Sequence, residues 1–336
     1  MYIFKKNIMT FKQEWEKTEQ QILLSDKVVE AMLKLAFPNK KLASYSIISG
    51  GCANLNVKII LEDENLSFIL RVYLRDKGAA YREQALGVLL KSTVPIPQVY
   101  FIGDYKSYRF ALTEYLPGIT LRELLLSKIP HDIGTIMFKA GQVLAKIQAH
   151  HFPCPGFFDD HLMVAERSSE NNYIEFVDNS LIHPTVMECL GSEVIATIKH
   201  HFNGLKIFLP NESESHLVHA DFDPANILVD KIDDEWTITG VLDWEFAFSG
   251  SLLWDVANML RYSHQLPTMF ETSFIQGLST ELTLPEDWKT TIYLLNVMSL
   301  LDCLTRCTKE LRPKQCADII FLITYFNKQL SSGPSH

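Results

Sequence analysis

The chain has 336 residues, 47% of them hydrophobic and 21% charged, and a formal net charge of −9. This composition is that of an ordinary globular protein, and the length suggests two domains or lobes. The acidic balance argues against nucleic-acid binding, which would require a basic face, and it suits a cationic ligand.

Membrane insertion and zinc binding find little support in the sequence. No stretch reaches the roughly 18 apolar residues that a membrane helix needs, and the N-terminus lacks the apolar run of a signal peptide. The six cysteines contain no Cys-x-x-Cys pair, and no neighbouring His or Cys completes a zinc set beside Cys303 and Cys307. We therefore expect reduced thiols in a cytoplasmic protein without a membrane segment. The oligomeric state stays open.

Residues 1–40 are predicted to form an N-terminal helical segment. Residues 11–16 are charged and helix-like, and residues 28–37 place apolar side chains at helical spacing. Pro38 ends this segment.

Residues 41–117 are predicted to form a lobe built on strands. Strand-like runs are joined by a glycine turn at Gly50 and Gly51 and by an acidic turn at 62–65. Because glycine has no side chain, Gly50 and Gly51 can bring backbone N–H groups close to phosphate oxygens. A plain hairpin turn is the simpler interpretation of two glycines alone.

Arg71 and Glu83 follow in this lobe. Arg71 lies on a predicted strand, where a cation either reaches nucleotide phosphates or remains on the surface. Glu83 falls near the start of a predicted helix, where a carboxylate suits the helix dipole or pairs with Arg71. After two more strands, residues 113–118 are the predicted hinge between lobes, because a Pro-Gly pair at 117–118 ends the strand.

Residues 118–336 are predicted to be mainly helical. Helical patterns cover 121–126, 138–151, much of 162–216, 253–262, 269–277, 287–309 and 317–330.

The stretch from His219 to Glu245 carries the candidate chemistry. His219, Asp221 and Asn226 fit the catalytic-loop spacing His-x-Asp-x4-Asn, and a predicted hairpin ends at Asp243. An aspartate there can orient an attacking hydroxyl. Asparagine and aspartate oxygens are suitable ligands for Mg2+. The pattern predicts phosphoryl transfer from a nucleoside triphosphate.

Two alternatives for the role of this stretch stay open. His, Asp and Asn are common turn residues, so the stretch could be a structural turn. A hydrolytic metal site could also be built on His219, Asp221 and Asp223, although the sequence offers no convincing further cluster of ligands.

With these motifs the chain resembles the aminoglycoside phosphotransferase and choline kinase-like family. The resemblance rests on residues 218–229, on Leu-Asp-Trp-Glu ending at Glu245 and on Trp-Asp-Val-Ala-Asn beginning at Trp254, and it extends over about 44–330. It implies an α+β, bilobal protein-kinase-like fold, with an antiparallel sheet lobe carrying one main helix and a larger, mostly helical lobe.

The resemblance also implies roles for individual residues. It assigns catalysis to Asp221, Mg2+ binding to Asn226 and Asp243, and bracing of the catalytic loop to His219 and Asp255. The residues that it assigns to ATP (or GTP) binding are Gly50, Gly51, Asn54, Arg71, Glu83, Glu114 and Leu116.

The chain departs from the family pattern at three places. Arg71 replaces the commoner lysine, and its rigid fork is not a simple substitute. Asp243 is followed by Trp-Glu rather than Phe-Gly, as in small-molecule kinases and unlike protein kinases. Gly250 and Ser251 stand where Gly-Asp is frequent.

The expected function is a Mg2+-dependent small-molecule kinase. Its acceptor would be the hydroxyl group of an aminoglycoside-like or other small molecule, which can be cationic. Choline or another amino alcohol, a sugar and a homoserine-type compound are alternative acceptors. Glu245, Asp159 and Asp160 are the candidate acceptor-binding carboxylates. The alternative of another class is a non-catalytic nucleotide-binding protein on the same fold.

Overall fold

The computed structural model describes residues 11–12, 14–16, 25–48, 54–62, 66–164, 173–307 and 309–332. The expectations for Gly50 and Gly51 lie outside these residues. Among the described helices, none combines the length and the apolar character needed to cross a bilayer.

The N-terminal part is built on a five-stranded antiparallel sheet with the strand order β1-β2-β3-β5-β4. Its strands are β1 (Leu42–Ile48), β2 (Asn54–Leu61), β3 (Ser67–Tyr73), β4 (Val99–Tyr105) and β5 (Tyr108–Glu114). Two helices accompany it, α1 (Asp26–Ala36) and α2 (Ala79–Leu90).

Alternation along β2 and β3 divides the sheet into a core face and a cleft face. Successive side chains of a strand point to opposite faces. Val57, Leu70 and Val72 are buried in a cluster that also includes Met32 of α1. The residues in between, such as Arg71, line a cavity on the other face. The binary pattern therefore determines which side chains can meet a ligand.

The C-terminal part contains two small sheets and eight helices among its described residues. The sheets have the orders β10-β9-β6 and β7-β11-β8. Their strands are β6 (Ile119–Thr120), β7 (Gly156–Phe157), β8 (His216–Val218), β9 (Ile227–Ile232), β10 (Glu235–Val241) and β11 (Phe248–Gly250). The helices are α3 (Leu121–Leu126), α4 (Ile133–Gln148), α5 (Tyr173–Leu181), α6 (Pro184–Gly204), α7 (Leu253–Leu260), α8 (Met269–Leu278), α9 (Trp288–Thr305) and α10 (Pro313–Ser331).

Glycines allow α4 and α8 to pack closely. A Cβ atom built on Gly277 would lie 1.9 Å from the carbonyl oxygen of Phe138, and one built on Gly141 would lie 2.1 Å from that of Phe274. No real contact is that short, so the two helix backbones approach each other only because these side chains are absent. The crossing belongs to the large core of the C-terminal part.

The predicted helix over residues 11–16 is wrong for the residues described there. These residues form turns, and Phe11 and Lys12 have φ values of 42° and 63°. Such left-handed backbone is unfavourable for residues other than glycine and is stabilised here by contacts with distant parts of the chain. Periodicity could not show this, because the contacts are not local.

The described residues among the first 40 contact both parts of the molecule. Val29, Met32 and Leu33 of α1 join the core of the N-terminal sheet. Phe11 is 3% exposed and belongs to the core of the C-terminal part.

Candidate active site

The loop between β8 and β9 brings Asp221 and Asn226 together. The Nδ2 atom of Asn226 donates hydrogen bonds to the backbone oxygen and to Oδ2 of Asp221, each at 2.9 Å. The Oδ1 atom of Asn226 is therefore the atom left for a ligand. Burial alone would raise the pKa of Asp221, but the ammonium of Lys12 outweighs it and holds this pKa below its usual value. Asp221 is thus a carboxylate at neutral pH.

His219 connects this loop to the strand end that carries Asp243. It is fully buried, and its Nε2–H donates to the backbone oxygen of Leu242 at 2.9 Å. Its Nδ1 accepts from the backbone N–H of Asp221 at 3.2 Å. Burial lowers the pKa of His219, which agrees with a neutral ring. His219 fixes the spacing between the two aspartates.

Asp255 holds the same loop from α7. Its Oδ2 and Oδ1 atoms accept from the backbone N–H groups of His219 at 2.8 Å and Ala220 at 2.9 Å. Ala220 has a φ of 73°, and its carbonyl oxygen accepts from Asn258 Nδ2 at 2.7 Å. Burial raises the pKa of Asp255 to about 7, against the opposing effect of the two N–H donors. The left-handed turn before Asp221 therefore has its backbone groups satisfied from one helix.

Arg71 connects the sheet of the N-terminal part to Asp243. Its Nη2 atom lies 3.1 Å from Glu83 Oε1 and donates a hydrogen bond to Asp243 Oδ1. The hydroxyl of Tyr73 donates to the other oxygen of Glu83 at 2.6 Å. Burial alone would lower the pKa of Arg71, but the carboxylates of Glu83 and Asp243 raise it well above its ordinary value. The structure thus joins Arg71 and Glu83, which are close in sequence, to Asp243, which lies 172 positions after Arg71.

A cavity of about 490 Å3 lies between the two parts of the molecule. Arg71, Asn226 and Asp243 lie along it, together with Glu114, Tyr115 and Leu116 of the predicted hinge. The Oε2 atom of Glu114 accepts from the backbone N–H of Gln98 at 3.2 Å. Its carboxylate is therefore bonded to its own lobe, which leaves the backbone of 114–116 as the part of the hinge suited to meet a base.

Several buried polar atoms near this cavity have no hydrogen-bond partner among the described residues. They are Arg71 Nε, Asn54 Oδ1, Asn56 Oδ1 and Glu245 Oε1. Buried polar groups usually have partners, so a set of such atoms beside a cavity indicates a place for a ligand. A donor and several acceptors beside two carboxylates fit a phosphate group together with a divalent cation that prefers oxygen ligands.

The three carboxylates predicted to bind the acceptor have partners of their own in the described structure. Glu245 is 5% exposed and accepts from Asn54 Nδ2 at 2.9 Å, so it belongs to the Arg71 side of the cleft. Burial, followed by the charge of Asp243, raises its pKa to about 7. Asp159 accepts from backbone N–H groups of its own loop, and Asp160 lies 4.0 Å from Arg82 of α2. No described hydrogen bond or ion pair joins the three to Asp221, and their acceptor role stays a prediction.

Four further residues contribute to the site in ways that the sequence did not assign. The Nζ atom of Lys12 lies 3.0 Å from Asp221 Oδ1 and also pairs with Asp223. The Nζ atom of Lys58 lies 3.8 Å from the ring centre of Tyr115. Asn258 and Arg261 extend the support of the loop, and Arg261 donates to Asn258 Oδ1 at 2.6 Å. The spacing of Asp255, Asn258 and Arg261 on an apolar helix was a usable signal, since residues three apart share a face; nothing local pointed to Lys12.

The alternative hydrolytic metal site is excluded by the bonding of His219. Both ring nitrogens are engaged with the backbone, and neither is free to bind a metal. Among the described residues, no group of three His, Cys, Asp or Glu side chains could hold a metal ion.

Solved structures of similar fold cover nearly the whole chain. Aminoglycoside phosphotransferase APH(4)-Ia superposes with a TM-score of 0.70 at 18% identity, covering 93% of this chain and 100% of that chain. A thermostable mutant of it, in ternary complex with AMP-PNP and hygromycin B, gives 0.69 at 20% identity, covering 91% and 99%. The GDP and kanamycin complex of APH(2")-IIIa gives 0.66 at 16%, covering 89% and 98%. The predicted bilobal kinase-like α+β fold is confirmed.

The fold places the chain among proteins with a kinase-like fold. The sequence identifies its family. Residues 44–289 match the model of the phosphotransferase enzyme family, APH. The chain belongs to this phosphotransferase family, as its motifs predicted. Hygromycin-B 4-O-kinase of Escherichia coli is 26% identical over 181 residues, which are 53% of this chain and 51% of that protein. The chain therefore matches about half the length of this curated relative.

Proposed function

We propose that the protein transfers the γ-phosphoryl group of ATP or GTP to a hydroxyl group of a small molecule. The observation that carries this proposal is that Arg71, Asn226 and Asp243 line the cavity between the two parts, with Asp221 bonded to Asn226 beside it. These are the groups that phosphoryl transfer requires, because its catalysis consists mainly of positioning and charge stabilisation.

Asp221 would act on the acceptor. An ionised carboxylate within hydrogen-bond reach can orient a hydroxyl and take its proton as the bond to phosphorus forms. His219 and Asp255 would hold that carboxylate in place through their backbone bonds. The hydroxyl oxygen then bonds to the γ-phosphorus while the bond from that phosphorus to the β-γ bridging oxygen breaks, which releases the nucleoside diphosphate.

Arg71 would bind the phosphates, with Glu83 orienting its guanidinium. Asn226 and Asp243 would hold Mg2+, which supplies positive charge to the phosphate oxygens when it is bound. The Arg71 hydrogen bond to Asp243 would be exchanged for bonds to phosphate, because a guanidinium fork suits phosphate oxygens. The backbone of residues 114–116 would form hydrogen bonds with the edge of the purine base. Lys58, whose ammonium lies over the ring of Tyr115, is next to this position.

Nucleotide binding and acceptor binding are assigned to different lobes, with the boundaries predicted from the sequence. We propose a nucleotide-binding lobe over residues 41–117 and a catalytic and acceptor-binding lobe over 118–336, with α1 packed on the former. An aminoglycoside is the first acceptor class to test, because the relative and the structural neighbours are named for such substrates.

Nucleotide binding and phosphoryl transfer can be tested separately. Mg2+ with ATP or GTP should raise the melting temperature, since a ligand of the native state stabilises it. Chelation of the metal should remove much of this shift. Transfer is then assayed with γ-labelled nucleotide and a panel containing hygromycin B, kanamycin, choline, homoserine and simple sugars. A Mg2+-dependent shift without transfer to any acceptor or to water would favour the non-catalytic alternative, and no shift would contradict both.

A further inference from the structure

The N-terminal residues place a charged side chain in the catalytic loop. We define the strap as the described residues Phe11, Lys12, Glu14, Trp15 and Glu16. The Nζ atom of Lys12 lies 3.0 Å from Asp221 Oδ1 and also donates to Asp223 Oδ2. The other oxygen of Asp221 accepts from Asn226. Both oxygens of the proposed catalytic carboxylate are therefore engaged within the chain.

The position of Lys12 coincides with the position that an acceptor needs. A hydroxyl that gives its proton to Asp221 has to come within hydrogen-bond distance of that carboxylate. The side chain of Lys12, 18% exposed, already occupies this distance. Its pairing with Asp223, whose side chain is 8% exposed, resists removal, because separation would leave a buried carboxylate without its cation.

The strap is held by contacts that lie outside the catalytic groups. The buried ring of Phe11 packs against Tyr262 with ring centres 5.2 Å apart. Trp15 Nε1 donates to Asp318 Oδ2 at 2.8 Å. The carboxylate of Glu16 accepts from the backbone N–H groups of Lys314 at 2.9 Å and Gln315 at 3.1 Å, at the first turn of α10. A carboxylate is favourable at this end of a helix.

The backbone of the strap has an unfavourable conformation at Phe11 and Lys12, where it meets the site. Phe11 and Lys12 both have left-handed φ values, which side chains disfavour. The contacts of Phe11, Trp15 and Glu16 therefore maintain a conformation that the local sequence would not adopt. Loss of those contacts should release Lys12 as well.

We propose that Lys12 is a specificity-determining residue which fills this chain's own acceptor site and which an acceptor must displace. The inference rests on the proposed function, because it assigns the acceptor position from Asp221. An acceptor gains access by replacing the bonds that Lys12 makes to Asp221 and Asp223. The fraction of molecules with the strap released then sets the apparent affinity for the acceptor.

The test combines two measurements on the full chain. The first is the rate of acetylation of Lys12 by an N-hydroxysuccinimide ester, followed by mass spectrometry. The second is Mg2+-dependent ATP hydrolysis, in which water replaces the acceptor and yields ADP, phosphate and a proton. Lys12→Met removes the cation, and Glu16→Ala and Trp15→Phe weaken the strap at a distance from Asp221. Glu14→Ala is the matched control, since among the described residues Glu14 forms an exposed pair with Lys314.

We expect Lys12→Met to raise ATP hydrolysis by roughly tenfold, because the competent state becomes the major one. Glu16→Ala and Trp15→Phe should raise both acetylation of Lys12 and hydrolysis by smaller factors, and Glu14→Ala should change neither. Lower or unchanged hydrolysis in Lys12→Met, with normal Mg2+-ATP binding, would overturn the proposal and make Lys12 a support of Asp221. Failure of every protein to bind Mg2+-ATP would instead overturn the proposed function.

Discussion

Arg71 of β3 donates a hydrogen bond to Oδ1 of Asp243, a residue 172 positions later in the chain. The bond joins the sheet of the N-terminal part to the hairpin that follows the catalytic loop. Arg71 also lies 3.1 Å from Glu83. The guanidinium of Arg71 therefore links Glu83 of α2 to Asp243, a proposed metal ligand. Substitutions of Arg71 should chiefly affect the kinetic constants for the nucleotide.

Arg71→Met should lower kcat/KM for ATP by roughly 100- to 1000-fold, the usual effect of removing a donor that stabilises developing charge. Arg71→Lys should retain part of the activity, because an ammonium binds phosphate but cannot reproduce the fork. Steady-state kinetics with varied Mg2+-ATP measures both. Arg109→Met is the matched control, since Arg109 forms a surface pair with Asp104 on the same sheet. An equal loss in the Arg109 and Arg71 variants would contradict the assignment.

Glu245→Gln separates the two sides of the cleft. A glutamine oxygen can still accept from Asn54 Nδ2, whereas the negative charge beside Asp243 and Arg71 is removed. We expect the KM for ATP to change and the KM for the acceptor to stay constant. Kinetics with each substrate varied in turn measures this. A change confined to the acceptor KM would instead support the acceptor role predicted from the sequence.

Asp255 should make stability depend on pH. Its pKa is raised by burial to about 7 in the folded protein, above the value of about 3.9 in unfolded chains. An acid of this kind contributes its full stabilisation below the unfolded pKa and loses it as pH rises through the folded pKa. Between pH 4 and 8, wild-type stability should fall by up to about 4 kcal/mol relative to Asp255→Asn, at 1.36 kcal/mol per pKa unit. Urea unfolding of both proteins across this range is the measurement, and parallel curves would refute the assignment.

The crossing of α4 and α8 predicts a contrast between two glycines. Gly277→Ala should destabilise the protein by about 1–3 kcal/mol or more, because its Cβ would meet the backbone of Phe138 and force the helices apart. Gly204→Ala is the control, since nothing lies within 4 Å of the added atom at the end of α6. It should be neutral or stabilising by up to about 1 kcal/mol. Urea midpoints give both values, and equal effects would contradict the packing.

The sequence was sufficient where the chemistry is local. The His-x-Asp-x4-Asn spacing lies within one loop, so its residues could be recognised without any knowledge of distant contacts. The strand that carries Arg71 was also predicted, and the structure has it as β3. The helices also appeared in the pattern, with shifted ends: the helix predicted over 138–151 begins at Ile133, because Asp132 caps it, and ends at Gln148.

Contacts between segments that are distant in the chain could not be predicted from the sequence. Lys12 lies 209 positions before Asp221, and no periodicity connects an N-terminal lysine to a catalytic loop. Glu245 was predicted as an acceptor-binding carboxylate because it could give that site negative charge. The structure buries Glu245 against Asn54. This bond depends on how the N-terminal sheet packs over the hairpin, which the local sequence does not show.

Asp221 is proposed to act in phosphoryl transfer, while other groups bind the nucleotide. The direct measurement is the rate of γ-phosphoryl transfer to the best acceptor of the panel, or to water, in wild type, Asp221→Asn and the surface control Asp302→Asn. We predict a loss of roughly 100- to 10,000-fold for Asp221→Asn, the usual range for a general base, with an unchanged Mg2+-ATP melting shift, and wild-type rates for Asp302→Asn. Undiminished transfer in Asp221→Asn would contradict the catalytic role of this carboxylate.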